Sequence, residues 1–355
     1  MTDSSQQSRS YNDFAVSLTE RTAQKRYPYS GAIELTSACN LKCVHCYVSH
    51  CHFEGDILSY REWCRIFDEI AAAGCLWLLI TGGEPFLRPD FLDIYAYVKK
   101  KGILITLFTN GTLITEDVAD YLKEWQPRLL EITLYGATKQ TYERLTGVAG
   151  SYERCLRGIE LLVERHIPLN LKTVALTINK NEIPAMQQYA QKLGVPFRWD
   201  PAIMPRLDHG VEPCSFRLTP EEIMEMELAA PERLQSWSEF CRTHRGPFPS
   251  ESLYICGAGK HSFFVDPFGH LSLCVSARSP SYDLRHGSFS EAWQTFLSQV
   301  LSQKASFDSR CRGCELIAIC GRCAAWAELE TGNPNSDVEW LCRVAHARVS
   351  SLDLK

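Results

Sequence analysis

The sequence predicts an α/β fold, a partial (β/α)6 barrel followed by a smaller cysteine-rich, loop-rich domain. Three observations carry that prediction. Between residue 31 and about residue 200, short β-rich runs alternate six times with amphipathic helical stretches, the pattern of a parallel sheet with helices outside. That rhythm stops between 200 and 250, where Pro, Glu and polar residues accumulate. The 16 cysteines are unevenly spread, with three inside residues 39–46 and seven between Cys256 and Cys342.

GAIELT (31–36) reads as the first strand. SYREWCRIFDEIAAAG (59–74) reads as a helix, with Ser59 and Glu62 at capping-box spacing, Trp63, Ile66, Phe67 and Ile70 on one face, and Gly74 as the stop. LWLLIT (76–81) is expected to be a strand buried on both faces, and 89–101 a helix that starts with Pro and Asp and ends in three lysines. ILITLFT (103–109), LLEITLY (129–135), LNLKTVALTI (169–178) and FRW (197–199) are the remaining strands. Helices are expected over 115–125, 151–165 and about 181–193 between them, and over 219–228 beyond them. The resulting layout is an N-terminal extension at 1–30, the barrel at 31–205, a bridging segment at 206–250 and a C-terminal domain at 251–355.

Length and charge narrow the function. A chain of 355 residues suits a large α/β domain plus a smaller one, and a net charge of −5 offers no basic face for nucleic acid. No run approaches the length of a membrane span, and residues 1–30 lack the apolar centre of a signal peptide, so a cytoplasmic location is expected. In a reducing compartment, so many cysteines point to metal binding or catalysis rather than to disulfides.

In barrels of this kind, chemistry gathers at the carboxyl ends of the strands. Cys39-x3-Cys43-x2-Cys46-Tyr47 directly follows the first strand. Three thiolates in eight residues can converge on one cubic iron–sulfur cluster and leave one iron open, whereas a zinc site would seek a fourth ligand, for which Cys51, His45, His50 and His52 are near. Gly82-Gly83-Glu84-Pro85 follows the second strand. Its glycines let backbone carbonyls approach a ligand and Glu84 can accept from an ammonium, although a plain tight turn would use the same residues.

This cysteine spacing, closed by an aromatic residue, resembles the signature loop of the radical S-adenosylmethionine (radical SAM) superfamily. The resemblance extends to Gly82, Gly83, Glu84 and Pro85, placed where that family holds the methionine amino group. It also implies cofactor-binding positions at Tyr47, at Asn110 after the third strand and at Thr133 at the end of the fourth. Tyr135 stands where relatives often carry an acid, so an acid role does not transfer. Lys172 and Thr173 could face the ligand, but a strand lysine reads more simply as solvated at an edge.

The later cysteines run Cys256, Cys274, Cys311-x2-Cys314-x5-Cys320-x2-Cys323 and Cys342. Paired C-x2-C units fit a zinc ribbon, but seven cysteines exceed one tetrahedral zinc and suit two clusters. The layout resembles the auxiliary-cluster (SPASM) domain of many peptide-modifying radical SAM enzymes, with two residues rather than the usual three between Cys320 and Cys323. The resemblance implies a cluster-binding domain with two auxiliary [4Fe–4S] clusters. Cys311, Cys314, Cys320 and Cys342 would hold one, and Cys256, Cys274 and Cys323 the other. The second lacks a fourth cysteine between 257 and 273, which leaves Asp266, His261 or Cys241, an open site, or the substrate itself.

Cys64, Cys75 and Cys155 read as core packing. Cys214 and Cys241 in the bridging segment are candidate thiols, Cys214 for catalysis. Trp199, Asp200 and Arg206 follow the sixth strand and are placed to line a substrate pocket, with Asp200 able to take a proton.

The resemblance implies reductive cleavage of S-adenosylmethionine to a 5′-deoxyadenosyl radical, which takes hydrogen from the substrate. That substrate is expected to be a ribosomally made peptide that is oxidised or crosslinked. A separate leader-binding protein would help capture it, and flavodoxin or ferredoxin would serve as reductant. The alternatives are porphyrin side-chain modification in haem biosynthesis, formylglycine maturation of a sulfatase and, from another class, a zinc-stabilised binding protein.

Overall fold

The computed structural model describes Ser17 and residues 25–48, 55–247, 251–306 and 309–352. Six parallel strands form the expected sheet: β1 (Ser30–Glu34), β2 (Trp77–Thr81), β3 (Leu104–Thr109), β4 (Leu129–Thr133), β5 (Leu169–Val174) and β6 (Phe197–Asp200). They lie in sequence order, with registers such as Ile33 beside Ile80 and Thr133 beside Lys172. The helices α1 (Tyr60–Ala72), α2 (Phe91–Lys100), α3 (Glu116–Glu124), α4 (Lys139–Thr146), α5 (Ser151–Glu164) and α6 (Ile183–Leu193) come between the strands. The capping box of α1 is present: the Glu62 amide donates to Ser59 Oγ at 3.4 Å and the Ser59 amide to Glu62 Oε2 at 2.7 Å.

The core lies between sheet and helices. Ile33, Ile80, Ile105, Leu107, Leu130, Ile132 and Leu171 are buried with the apolar stripes of the helices, among them Trp63, Phe67, Tyr95 and Ile159. The expectation that the second strand is buried on both faces is corrected here. Only Leu78 and Ile80 are buried in β2, and Trp77, Leu79 and Thr81 are half-exposed on the opposite face. The sheet curls without closing, so its concave face is left hollow for a ligand.

Two helices before residue 250 went unread in the sequence. α4 is short and largely polar and starts at the Thr138 cap, which accepts from the Thr141 amide. In the bridging segment, α7 (Pro220–Leu228) is followed after two alanines by α8 (Pro231–Thr243).

The boundary expected at 251 does not interrupt the sheet. β7 (Ser262–Val265) pairs in parallel with β1, and β8 (His270–Ser272) and β9 (Tyr282–Asp283) extend it antiparallel to a nine-stranded order, β6-β5-β4-β3-β2-β1-β7-β8-β9. Beyond residue 309 the described elements are all helical, and a small apolar cluster of Cys241, Leu316, Ile319 and Ala345 forms at α10 (Glu339–Ser351). Polar clasps bind this end to the rest. Glu227 receives Arg348 at 2.9 Å and Arg233 at 3.2 Å, while Arg217 pairs with Glu330 and lies against Trp326 and Trp340. Glu330 belongs to α9 (Ala324–Thr331). Among the described residues, no helix is long and apolar enough to cross a membrane.

Candidate active site and cluster sites

A cavity of about 440 Å³ lies at the carboxyl ends of β1–β6. Each strand end contributes to it. The loop after β1 supplies Cys39, Cys43, Cys46 and Tyr47, β2 leads to Gly82 and Gly83, and β3 leads to Asn110. Thr133 and Tyr135 follow from β4, Lys172 and Thr173 from β5, and Arg198, Asp200 and Met204 from β6 and the segment after it.

The cysteine loop is fixed by backbone bonds to the end of α4, Lys42 N to Thr146 O at 2.8 Å and Val44 N to Leu145 O at 3.0 Å. The unread helix is therefore what anchors the loop. Asn110 braces it from β3: its amide nitrogen donates to Asn40 Oδ1 at 2.8 Å and approaches Cys39 Sγ at 3.9 Å. Tyr135 hydrogen-bonds Cys43 from β4. Burial and the neighbouring thiols push the Cys39 and Cys43 thiols above their ordinary range. Three thiolates crowded into one loop thus need a positive centre, and the donor set fits an iron–sulfur cluster. Among the described residues, no three His, Cys, Asp or Glu side chains converge tightly enough to share one metal ion. Cys51, His50 and His52, the neighbours weighed for zinc, lie outside the described residues.

The glycine turn needs its glycines. A Cβ on Gly82 would stand 2.5 Å from Thr36 O, and one on Gly83 would stand 2.2 Å from Ala38 O. This close approach clamps the turn against the residues just before Cys39, with Gly83 N donating to Thr36 O and Glu84 N to Ala38 O. Glu84 itself lies behind the cavity wall, fully buried. Its oxygens accept from Thr109 Oγ1 at 2.8 Å, Asn110 N at 2.8 Å and Phe86 N at 3.3 Å. Burial outweighs these bonds and moves its carboxyl up to about 7. Pro85 is buried beside it. Both residues shape the turn, and Gly82 and Gly83 face the cavity.

Lys172 is not solvated at an edge, which corrects the simpler reading of the sequence. β5 lies between β4 and β6, and the amine reaches Glu131 Oε2 at 3.0 Å over the ring of Phe108. Burial lowers its pKa to about 8 despite the carboxylate. Arg198 shares Glu131 at 2.8 Å, so one buried acid serves two cations on the cavity wall. Glu131, Phe108, Arg198 and Met204 were not singled out in the sequence. An acid inside the apolar run LLEITLY was the available signal for the first.

Asp200 lines the cavity and accepts from Ala202 N at 2.7 Å. Cys214 is not brought there. It sits in the short helical turn Glu212–Phe216, near Arg217 and Glu330. Arg206 points to Asp208 and Glu212 instead of the cavity.

The later cysteines form two groups. Cys311, Cys314, Cys320 and Cys342 surround a small cavity under Ala345, and burial pushes Cys320 up to about 12. Cys256, Cys274 and Cys323 lie together near Tyr254, and burial with the neighbouring thiols raises the pKa of Cys274 and Cys323. Of the three side chains considered to complete this group, Cys241 is removed: it is buried beside Cys314 and Cys320, at the other group. Asp266 is engaged by Phe268 N, His270 N and His270 Nδ1, and His261 stacks on Tyr29. The segment after Cys274 reaches the central cavity. Ser276 Oγ contacts Met204 Sδ at 3.4 Å, and Arg278 pairs at 2.8 Å with buried Glu34, which also receives Tyr47.

A parallel partial barrel that carries a three-thiolate loop at its strand ends, with further thiol groups alongside, defines an iron–sulfur enzyme of the barrel class. Residues 33–190 match the Radical SAM superfamily, and the chain is a radical SAM enzyme that uses S-adenosylmethionine and a [4Fe–4S] cluster. It is 28% identical over 323 residues to an AdoMet-dependent heme synthase of Methanosarcina barkeri, covering 85% of this chain and 93% of that one. It is 29% identical to the mycofactocin maturase MftC of Mycobacterium ulcerans, covering 85% and 84%. Streptococcus suis SuiB bound to its precursor peptide SuiA has the same fold, with a TM-score of 0.71 at 15% identity over 96% of this chain and 84% of that one.

Proposed function

We propose that this radical SAM enzyme oxidatively modifies or crosslinks a ribosomally made peptide. The carrying observation is the size and siting of the cavity. At about 440 Å³ it falls near the small end of ligand pockets and lies where the strand ends meet, which suits S-adenosylmethionine with one inserted side chain. A peptide can present a single side chain while its remainder stays outside. The maturase likeness over 85% of the chain supports the same reading.

When bound, the cluster and S-adenosylmethionine supply a strongly oxidising carbon radical that takes a hydrogen atom from the substrate. The protein's own residues do the rest. Cys39, Cys43 and Cys46 are assigned as cluster ligands, and Gly82, Gly83, Asn110, Thr133 and Tyr47 as the walls that hold S-adenosylmethionine, with Glu84 and Pro85 fixing the turn. Asp200 is placed to accept the proton released when the substrate is oxidised. Cys311, Cys314, Cys320 and Cys342 are assigned to one auxiliary [4Fe–4S] cluster and Cys256, Cys274 and Cys323 to the other, within a C-terminal domain from about residue 251. The contact from Ser276, two residues after Cys274, to Met204 on the cavity wall supports this role for the second set, and a cluster held there would supply an acceptor for the substrate's second electron. A cytoplasmic setting, a flavodoxin or ferredoxin as reductant and a separate leader-binding protein complete the reading.

The 28% likeness over nearly the whole of a heme synthase favours a second reading, porphyrin side-chain oxidation. One experiment separates the two. The iron-loaded enzyme, reduced with dithionite in the presence of S-adenosylmethionine, is offered synthetic peptides translated from short reading frames flanking its gene and, separately, an iron porphyrin bearing propionates. A peptide that loses two hydrogen atoms supports the proposal. Unchanged peptides together with a porphyrin that loses carbon dioxide would overturn it.

A further inference from the structure

The sheet ends at β6, and a second and larger hollow lies against that end. It measures about 750 Å³ and is lined by Phe197 and Trp199 of β6, by Gln187 of α6, and by Arg233, Trp237 and Phe240 of α8. Arg198 borders both this groove and the central cavity, so one side chain stands between the two. The groove's walls come from α8, one of the helices that went unread in the sequence, and from the outward face of the last strand.

The backbone of β6 carries the second observation. Leu171 N donates to Pro196 O at 2.9 Å and Ala175 N to Asp200 O at 2.8 Å, so the even-numbered carbonyls of this segment face β5. Backbone groups alternate sides along a strand, so the N–H and C=O groups of Phe197 and Trp199 face the other way, toward the groove. Arg233 Nη1 caps the Trp199 carbonyl at 3.1 Å and its guanidinium lies 4.0 Å over the Trp199 ring. The groups left over, the Phe197 N–H and C=O and the Trp199 N–H, lie beside aromatic side chains and are matched by another extended chain, whose own backbone satisfies them while its side chains fill the hollow.

Resting on the peptide reading, we propose that the edge of β6 and this aromatic groove bind an extended segment of the substrate peptide. The segment is laid along Phe197 and Trp199, carries an apolar or aromatic residue against the Trp237–Phe240 pair, whose rings meet edge to face at 5.6 Å, and feeds the reacting residue past Arg198 into the cavity. The occupant is a peptide because only a peptide supplies both the backbone pairing and an apolar side chain at a fixed distance from the next residue. Arg198, shared by both hollows and tied to Glu131, is the positioning residue at the threshold.

The test selects a displayed library of random twelve-residue peptides against the reconstituted holoenzyme and measures the affinity of the winning peptides for three forms. In Ser236→Trp an indole is added on the α8 face that lines the groove; in Gln235→Trp the same bulk is added one position along the helix, outside the lining. The expected result is binding at least about thirtyfold weaker for Ser236→Trp than for wild type, with Gln235→Trp unchanged. Phe240→Ala should weaken binding in the same direction without adding bulk. Peptide should also slow hydrogen exchange at the Phe197 and Trp199 amides. Winners that bind Ser236→Trp and Phe240→Ala as tightly as wild type, with β6 amides unprotected, would sink the groove assignment and leave the peptide reading standing. A library that enriches nothing on wild type, with a porphyrin consumed instead, overturns both.

Discussion

Cys39, Cys43 and Cys46 hang from the end of a nine-stranded sheet, stitched by backbone bonds to α4 and braced by Asn110 and Tyr135. Cys311, Cys314, Cys320 and Cys342 are joined by short helices around a four-residue apolar cluster. The same side chain serves opposite purposes in the two regions. In the barrel, a large packed core holds the thiols in place, and the metal adds chemistry. Near the C-terminus there is little apolar surface to bury, so on the proposed assignment a cluster tying together the Cys311–Cys314 turn, Cys320 and Cys342 would do the holding.

That contrast is broken most directly by removing one thiol from each region. Cys43→Ala should abolish release of 5′-deoxyadenosine while leaving the helical circular dichroism and thermal midpoint close to wild type. Cys320→Ala should lower iron content by about four atoms per chain and speed proteolysis after residue 309 by about tenfold or more. If both variants unfold alike, or if neither region loosens, the comparison is wrong.

The next largest effect is expected where the regions meet. Glu227 is almost fully buried and serves both Arg348 of the last helix and Arg233 of α8. Glu227→Ala leaves two guanidinium groups without their carboxylate and should cost about 3 kcal/mol in denaturant unfolding. A loss below about 1 kcal/mol would mean that the clusters alone hold the two parts together.

Within the barrel, Lys172 offers a pH signature. Burial holds its folded pKa near 8, below the ordinary lysine value of 10.5. The unfolded chain therefore binds more protons than the folded one between these values, and stability should rise as pH goes from about 8 toward 10.5. The rise is bounded by roughly 3 kcal/mol and should be missing in Lys172→Met. A flat difference between the two proteins across that window would show that Glu131 fully compensates the burial.

The smallest effect belongs to α1. Ser59→Ala removes a capping box and should cost about 1 kcal/mol with no change in iron content. Iron loss in this variant would mean that the barrel core is less independent of its metal than the comparison holds.

The parts of this fold that were legible have local causes. The α1 cap and stripe, the six strands and the three-cysteine loop each depend on spacing within about a dozen residues. The glycine turn was legible in kind, because close backbone approach demands glycine, but not in detail: the sequence does not show that Glu84 faces inward to Thr109 and Asn110 rather than outward to the cavity. α4 and α8 escaped because their faces are polar or mixed, and each is a helix only where it packs. Lys172 was misplaced because its neighbours in space, Glu131, Phe108 and Arg198, come from three other strands. Cys241 looked available to the three-cysteine group until the helix that carries it was seen to run past the other one.

The sequence by itself determined the class of chemistry. Ligand spacing within a loop and hydrophobic period within a helix are short-range properties, and they survive without knowledge of the fold. Only the tertiary structure decided which cysteines share a group, that a buried acid on β4 serves two cations, and that Arg198 stands between the cavity and an aromatic groove beside a strand that ends the sheet among the described residues. Those facts depend on which way strands β4–β6 turn their side chains and where α8 docks. Both are set by packing between residues far apart in the chain.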